Sequence, residues 1–171
     1  MRSSSGEQGG TPRRTCTKRF SPVAAPGEKV PQALRKASEN SFAGSMRAVD
    51  TNVLVRLVVR DDADQVNAAE SFVSKGTWVS HLVLAETIWV LEAVYDRSPA
   101  QIASAIERLL NHTDLTLQDA DVVALALDHF RSHRSLGFSD CLVLEIARKA
   151  GHLPLGTFDR SLAKLDGTHG L

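Results

Sequence analysis

The chain reads as an α/β protein, an α/β/α sandwich around a central, mainly parallel sheet. Two observations lead there. From Met46 onward, short apolar runs of strand character (MRAVD, TWVS and residues 113–117) alternate with longer segments of helical period. The length of 171 residues, with 43% hydrophobic and 23% charged side chains, suits a single domain with a substantial core.

Taken in order, MRAVD is expected to be a short buried strand ending at Asp50. The run VLVRLVV that follows is compatible with strand or helix, since periodicity does not separate short apolar runs; Asn52 could cap a helix there. Residues 62–75 read as a helix stopped by Gly76, and TWVS as a strand. Residues 81–95 are apolar almost all round, the pattern of a buried helix. The next helix carries the fullest signature: Ser98 as N-cap, Pro99 in the first helical position and Gln101 completing a capping box. Its apolar stripe is Ile102, Ala105, Ile106, Leu109 and Leu110. After the strand at 113–117, Asp119 is expected to cap a helix to about His133. Ser139 or Asp140 should open another that ends at Gly151. A strand at 153–155, a helix at 158–165 and a short strand near Thr168 complete the pattern.

Residues 1–45 differ in kind. They are rich in Ser, Gly, Pro and Arg and show no sustained hydrophobic period, so the expectation is a disordered extension with a short helix near residues 32–43. Without an apolar h-region the segment is not a secretory signal; a basic targeting peptide, or a start site at Met46 with the upstream residues a gene-model artefact, are the alternatives. Domain organisation is therefore 1–45 as a basic extension and 46–171 as the folded domain.

Net charge is zero, but unevenly spread. Residues 1–45 hold eight Lys or Arg and three Glu, while 46–171 hold twelve basic and seventeen acidic residues. Such a domain does not attract nucleic acid by its overall field and would need a local basic strip or bound cations. No apolar run approaches the roughly 18 residues of a membrane span. Two cysteines, Cys16 and Cys141, stand in unlike contexts and suggest a reducing, cytoplasmic setting rather than a disulfide framework. Cys141 is expected to pack as a small hydrophobe.

Four carboxylates stand out: Asp50, Glu86, Asp140 and Asp159. Three sit in short polar turns against apolar runs, and Glu86 interrupts the apolar segment HLVLAETIWVLEAVY. Singly, Asp50, Asp140 and Asp159 could be helix caps or dipole-favouring residues. Glu86 resists that reading, because Leu82, Trp89, Val90 and Ala93 surround it on one helical stripe, and buried carboxylates are rare unless paired or metal-bound. Asp140 begins a stripe through Val143, Leu144, Ala147 and Ala150. Asp61, Asp62, Asp64, Asp121, Asp128, Glu92 and Glu145 are read as solvated. Two like charges about 4 Å apart repel by roughly 4 kcal/mol at an effective dielectric near 20. A cluster of four would require protonation or cations. All-oxygen sites suit Mg²⁺ or Mn²⁺, and two such ions clamp a phosphodiester and acidify an attacking water. Asn52, Thr157 and Ser80 are candidates to orient the ligands.

Other chemistries find little support. His129 and His133 have i, i+4 spacing but no HExxH arrangement, there is no Gly-rich phosphate loop, and Gly137-Phe138-Ser139 is not a nucleophile elbow. A phosphatase using Asp50 as nucleophile would need a second Asp where Asn52 stands.

The segments AVDTNVLVRLV, SHLVLAETIWVLE, GFSDCLVLEIARKAG and LGTFDRSLAKLDG, in that order and spacing, resemble PIN domains, in particular the VapC toxins of bacterial toxin–antitoxin modules. The resemblance covers roughly residues 46–171. It implies a metal-dependent endoribonuclease whose metal-binding acids map onto Asp50, Glu86, Asp140 and Asp159, with Thr157 supporting the last and Asn52 matching the polar residue after the first. It implies in-line attack by an activated water on RNA, leaving a 5′-phosphate and a 3′-hydroxyl. It also implies a homodimer restrained by a small VapB-like antitoxin that places an Arg near the acids. The extension before Met46 departs from the family pattern. The apolar Leu54–Val59 run and the stretch from Trp89 to Tyr95 could supply partner surface. The alternatives are a housekeeping PIN nuclease in RNA maturation and a PIN fold kept as a protein-binding module.

Overall fold

A computed structural model describes residues 46–171; the extension and the helix expected near residues 32–43 lie outside them. Helices and strands alternate as expected of an α/β sandwich. Strand β1 (Arg47–Ala48) leads into α1 (Thr51–Val59), α2 (Ala63–Val73) and β2 (Thr77–Val79). Then come α3 (His81–Ala93), α4 (Pro99–Leu110), β3 (Leu115–Leu117), α5 (Ala120–Ser132) and α6 (Phe138–Lys149). The chain closes with β4 (Leu155–Thr157), a 3₁₀ turn (Leu162–Lys164) and β5 (Thr168–Gly170).

All strand pairing among the described residues is parallel. β1, β2 and β3 form one sheet in that order, in the registers Arg47 to Thr77 and Thr77 to Leu115. β4 and β5 pair separately, Leu155 opposite Thr168. Strand β1 is more open than expected: Ala48 is exposed and only Val49, just beyond it, is buried. It has a hydrogen-bonded neighbour on one edge only among the described residues.

The capping chemistry decides most helix starts. Asp62, Ser80 and Ser98 each accept a backbone N–H from the third residue on, and Ser98 with Gln101 closes the expected capping box. The run VLVRLVV is helical, and its cap is Asp50 rather than Asn52: Asp50 Oδ1 accepts from the Val53 N–H at 3.0 Å. Asp119 precedes α5 with a left-handed backbone and no side-chain cap bond; its carboxylate goes instead to Lys149 at 2.7 Å. α6 begins at Phe138, one residue before the expected Ser139, with Gly137 as N-cap. The strand expected at 153–155 is displaced to Leu155–Thr157, and the helix expected at 158–165 is reduced to a single 3₁₀ turn. Asp159 accepts the N–H groups of Ser161 and Leu162 there, a local pattern that competes with continued helix.

The core lies among α3, α4, α5 and α6 and the β2 and β3 strands, with Leu84, Leu91, Ile102, Ile106, Val123, Phe138 and Leu144 fully enclosed. α3 is half of what its composition suggests. Leu84, Thr87, Ile88 and Leu91 form the buried stripe, while Leu82 (76% exposed) and Trp89 (63% exposed) face outward. The expectation of a wholly buried helix therefore fails, because a helix laid on the surface of a sandwich has one packed side whatever its composition. No helix among the described residues is long and apolar enough to cross a membrane.

Candidate active site

The four carboxylates occupy four element ends or faces. Asp50 stands at the C-terminal end of β1 and caps α1. Glu86 lies on the outward stripe of α3 with Leu82 and Trp89, so it is exposed rather than enclosed. Asp140 is the third residue of α6, half-buried. Asp159 follows β4 and is exposed.

Glu86 is brought to the start of α1, where Asp50 is the cap, by α1 packing on α3 and by a residue the sequence reading passed over. Thr51, the first residue of α1, donates its hydroxyl to Glu86 Oε2 at 2.5 Å. The signal was present: a Thr adjacent to a candidate ligand at a helix start projects a donor alongside it. Asp140 folds back so that its Oδ2 accepts the Gly137 N–H at 3.3 Å. A Cβ at position 137 would stand 3.1 Å from that oxygen, so glycine leaves the carboxylate its room. The helix bearing Asp140 packs against α3. Asp159 has no polar contact with the other three, and among the described residues no three His, Cys, Asp or Glu side chains stand close enough together to hold one ion.

A common pattern links the four. Each directs one oxygen at an N–H or O–H donor: Asp50 Oδ1 at Val53, Glu86 Oε2 at Thr51, Asp140 Oδ2 at Gly137, and Asp159 Oδ1 at Ser161 and Leu162. The other oxygen of each has no hydrogen-bond partner among the described residues. None of the four joins the ion pairs of the described residues, which engage Asp61, Glu70, Glu107, Asp119, Asp121, Glu145 and Asp166 instead. In chemistry, though not in a shared cluster among the described residues, carboxylate oxygens without basic counter-charge are of the type that suits a hard divalent cation such as Mg²⁺ or Mn²⁺.

The supporting residues divide. Thr157 Oγ1 accepts the Asp159 N–H at 3.0 Å, fixing the turn that presents Asp159. Ser80 Oγ caps the helix that carries Glu86, accepting from the Val83 N–H at 3.2 Å, and so acts through the helix start. Asn52 is exposed and lines a groove with Arg56, Gln65 and Phe72, making no hydrogen bond among the described residues.

Cys141, beside Asp140, is fully buried as expected. Burial pushes its thiol up to about 11, with the Asp140 charge adding to the effect, so it stays protonated and unreactive at neutral pH. Glu145 reverses its expected place. It is 2% exposed, its Oε1 lying 3.1 Å from His129 Nε2 and accepting from Arg148 Nε at 3.2 Å.

The model of the family described as PIN domain matches residues 47–168. No curated protein matches the chain significantly.

Proposed function

Because the chain belongs to the PIN-domain family, whose members are generally metal-dependent nucleases, we propose that it is an Mg²⁺- or Mn²⁺-dependent endoribonuclease, the toxin of a VapBC-type module. The observation that carries the reading is the set of four carboxylates that, among the described residues, have no counter-charge and each hold one oxygen free.

Those free oxygens are the atoms that would hold a cation: Oδ2 of Asp50, Oε1 of Glu86, Oδ1 of Asp140 and Oδ2 of Asp159. A divalent cation held by these residues would supply neutralisation of phosphodiester charge and a lowered pKa for the attacking water. The chain's own contribution is orientation. Thr51 turns Glu86, the α1 N-terminus turns Asp50, and Thr157 sets the turn of Asp159, so the ligands keep their directions without spending their free oxygens. In-line attack would leave a 5′-phosphate and a 3′-hydroxyl.

The partners follow the same reading: RNA as substrate, a second copy of the chain, and a small antitoxin whose Arg neutralises the acids, all in the cytoplasm. Leu82 and Trp89, exposed on the stripe that bears Glu86, and Val94 just beyond it, offer apolar area for such contacts.

Cleavage of RNA by the full chain should require Mg²⁺ or Mn²⁺ and cease with EDTA. Asp50→Asn, Glu86→Gln and Asp140→Asn should each lower it by about 10²–10³-fold or more while circular dichroism stays unchanged. Metal-independent cleavage, or full activity in the three variants, rules the mechanism out. A short open reading frame beside the gene, encoding an antitoxin-like protein, separates the toxin from a housekeeping nuclease; its absence favours the latter.

A further inference from the structure

Segment 155–171, which carries Asp159, is internally well tied. Leu155 N–H donates to Gly167 O at 2.9 Å, and the Thr168 hydroxyl donates to Leu162 O and Leu165 O. The Leu171 N–H donates to Thr157 O. Its attachment to the rest of the domain is far sparser. Leu162 and Leu165 reach the core, but among the described residues Arg148 alone makes polar links across the gap.

Arg148 donates from one terminal nitrogen to Asp166 O at 2.7 Å, and its other terminal nitrogen lies 3.5 Å from Asp166 Oδ2. Gly167 packs so closely on the guanidinium that a Cβ there would stand 3.2 Å from it, and φ of +84° favours glycine independently. The remaining face of the fork, Nε, is held by buried Glu145, which His129 of α5 also engages. Glu145 and Arg148 lie on α6, the helix that presents Asp140.

We propose that Arg148, locked by buried Glu145, is a positioning residue that sets the placement of Asp159 relative to Asp140. The inference rests on the reading of both acids as metal ligands. The path runs from Glu145 to the guanidinium, to the 166–167 turn, and through Thr168 to Leu162. The N–H of Leu162 is one of the two that hold Asp159 Oδ1. A planar fork with separate donors for Glu145 and for Asp166 is required; a lysine ammonium has the charge but not the span. Burial of a carboxylate beneath a half-exposed arginine is costly unless the geometry is good, which is the condition a rigid strut meets.

The test is a double-mutant cycle read by Mn²⁺ binding and by amide exchange, using the full chain. Arg148→Met should weaken Mn²⁺ binding roughly 10–100-fold, as loss of an outer-shell partner does. Exchange at the Ser161 and Leu162 amides should accelerate while the amides of α6 keep their protection, and Arg148→Lys should restore neither. In an Asp159→Asn background Arg148→Met should have no further effect on Mn²⁺ binding. Should Arg148→Met fold poorly, Glu145→Gln/Arg148→Met removes the buried charge together with the strut and is read in the same way. Additive losses in the cycle, rescue by Lys, or unchanged Ser161 and Leu162 exchange in a folded variant overturns the proposal. Wild-type chain that binds no Mn²⁺ refutes the metal reading itself, a result distinct from additivity.

Discussion

Glu145 and Glu86 occupy opposite situations. Glu145 is enclosed in the packing of α5 against α6 and meets two cationic or potentially cationic side chains, Arg148 and His129. Glu86 stands at the surface with a neutral hydroxyl from Thr51 and no ion pair among the described residues. The difference separates two uses of a carboxylate. A buried charge survives only when matched, and it then serves the fold. An exposed one needs no match to be tolerated, and Glu86, held by a neutral donor, keeps its second oxygen for solvent or, on the proposed reading, for a cation.

The largest effect should come from breaking the matched side of the comparison. Glu145→Ala leaves Arg148 and His129 without their acceptor inside a packed interface. It should destabilise the domain by about 3–5 kcal/mol, seen as a lower urea midpoint. Asp50→Asn should move that midpoint by no more than about 0.5 kcal/mol, because asparagine caps a helix as well as aspartate does. If the two variants unfold alike, burial and matching are not what distinguishes these carboxylates.

The sequence assigned these roles the other way round, and the reason is helical phase. The stripe that the sequence suggests for α6, Asp140, Val143, Leu144, Ala147 and Ala150, leaves Glu145 outside. The packed face is instead Phe138, Cys141, Leu142 and Glu145, spaced i, i+3, i+4 and i+7, together with Leu144, which keeps its expected place, while Val143 is about half exposed. A charged residue at the i+7 position hid a regular stripe. In α3 the error had the opposite sign: an apolar residue at nearly every position gave no phase, and Leu82 and Trp89 were placed inside. The elements with explicit caps were legible, Ser98 to Gln101 above all, since local hydrogen bonds need no tertiary context. Asp50, Asp140 and Asp159 stood out because each sits at a boundary between a polar turn and an apolar run, and Glu86 because it interrupts an apolar segment. Thr51 and the Arg148 strut were not, since their partners lie 35 residues away at Glu86 and 18 away at Asp166.

A smaller effect should sharpen the exposed side. Thr51→Val keeps the shape and removes the donor to Glu86 Oε2. Cleavage should fall by about 10–100-fold with the unfolding midpoint nearly unchanged, and Thr51→Ser should recover most of the activity. A Val variant as active as wild type would mean that Glu86 needs no orienting partner.

The smallest effect concerns a matched pair that is not buried. Asp61 is held below the ordinary carboxylate range, first by the hydrogen bond from Arg56 at 2.6 Å and next by the Tyr95 hydroxyl at 3.0 Å. A group whose folded pKa is depressed binds protons less readily than in the unfolded chain. Its contribution is therefore complete above the unfolded value and is lost as pH falls through the lower folded one. The stability difference between wild type and Asp61→Asn should accordingly be constant near neutrality and shrink in the acid range below the usual aspartate pKa. Solvent screens this surface pair, so the difference should be small at neutral pH and smaller still in high salt. The same experiment on Glu145→Gln gives the contrast its sharpest form: that difference should persist in high salt, because ions in solution do not reach between α5 and α6.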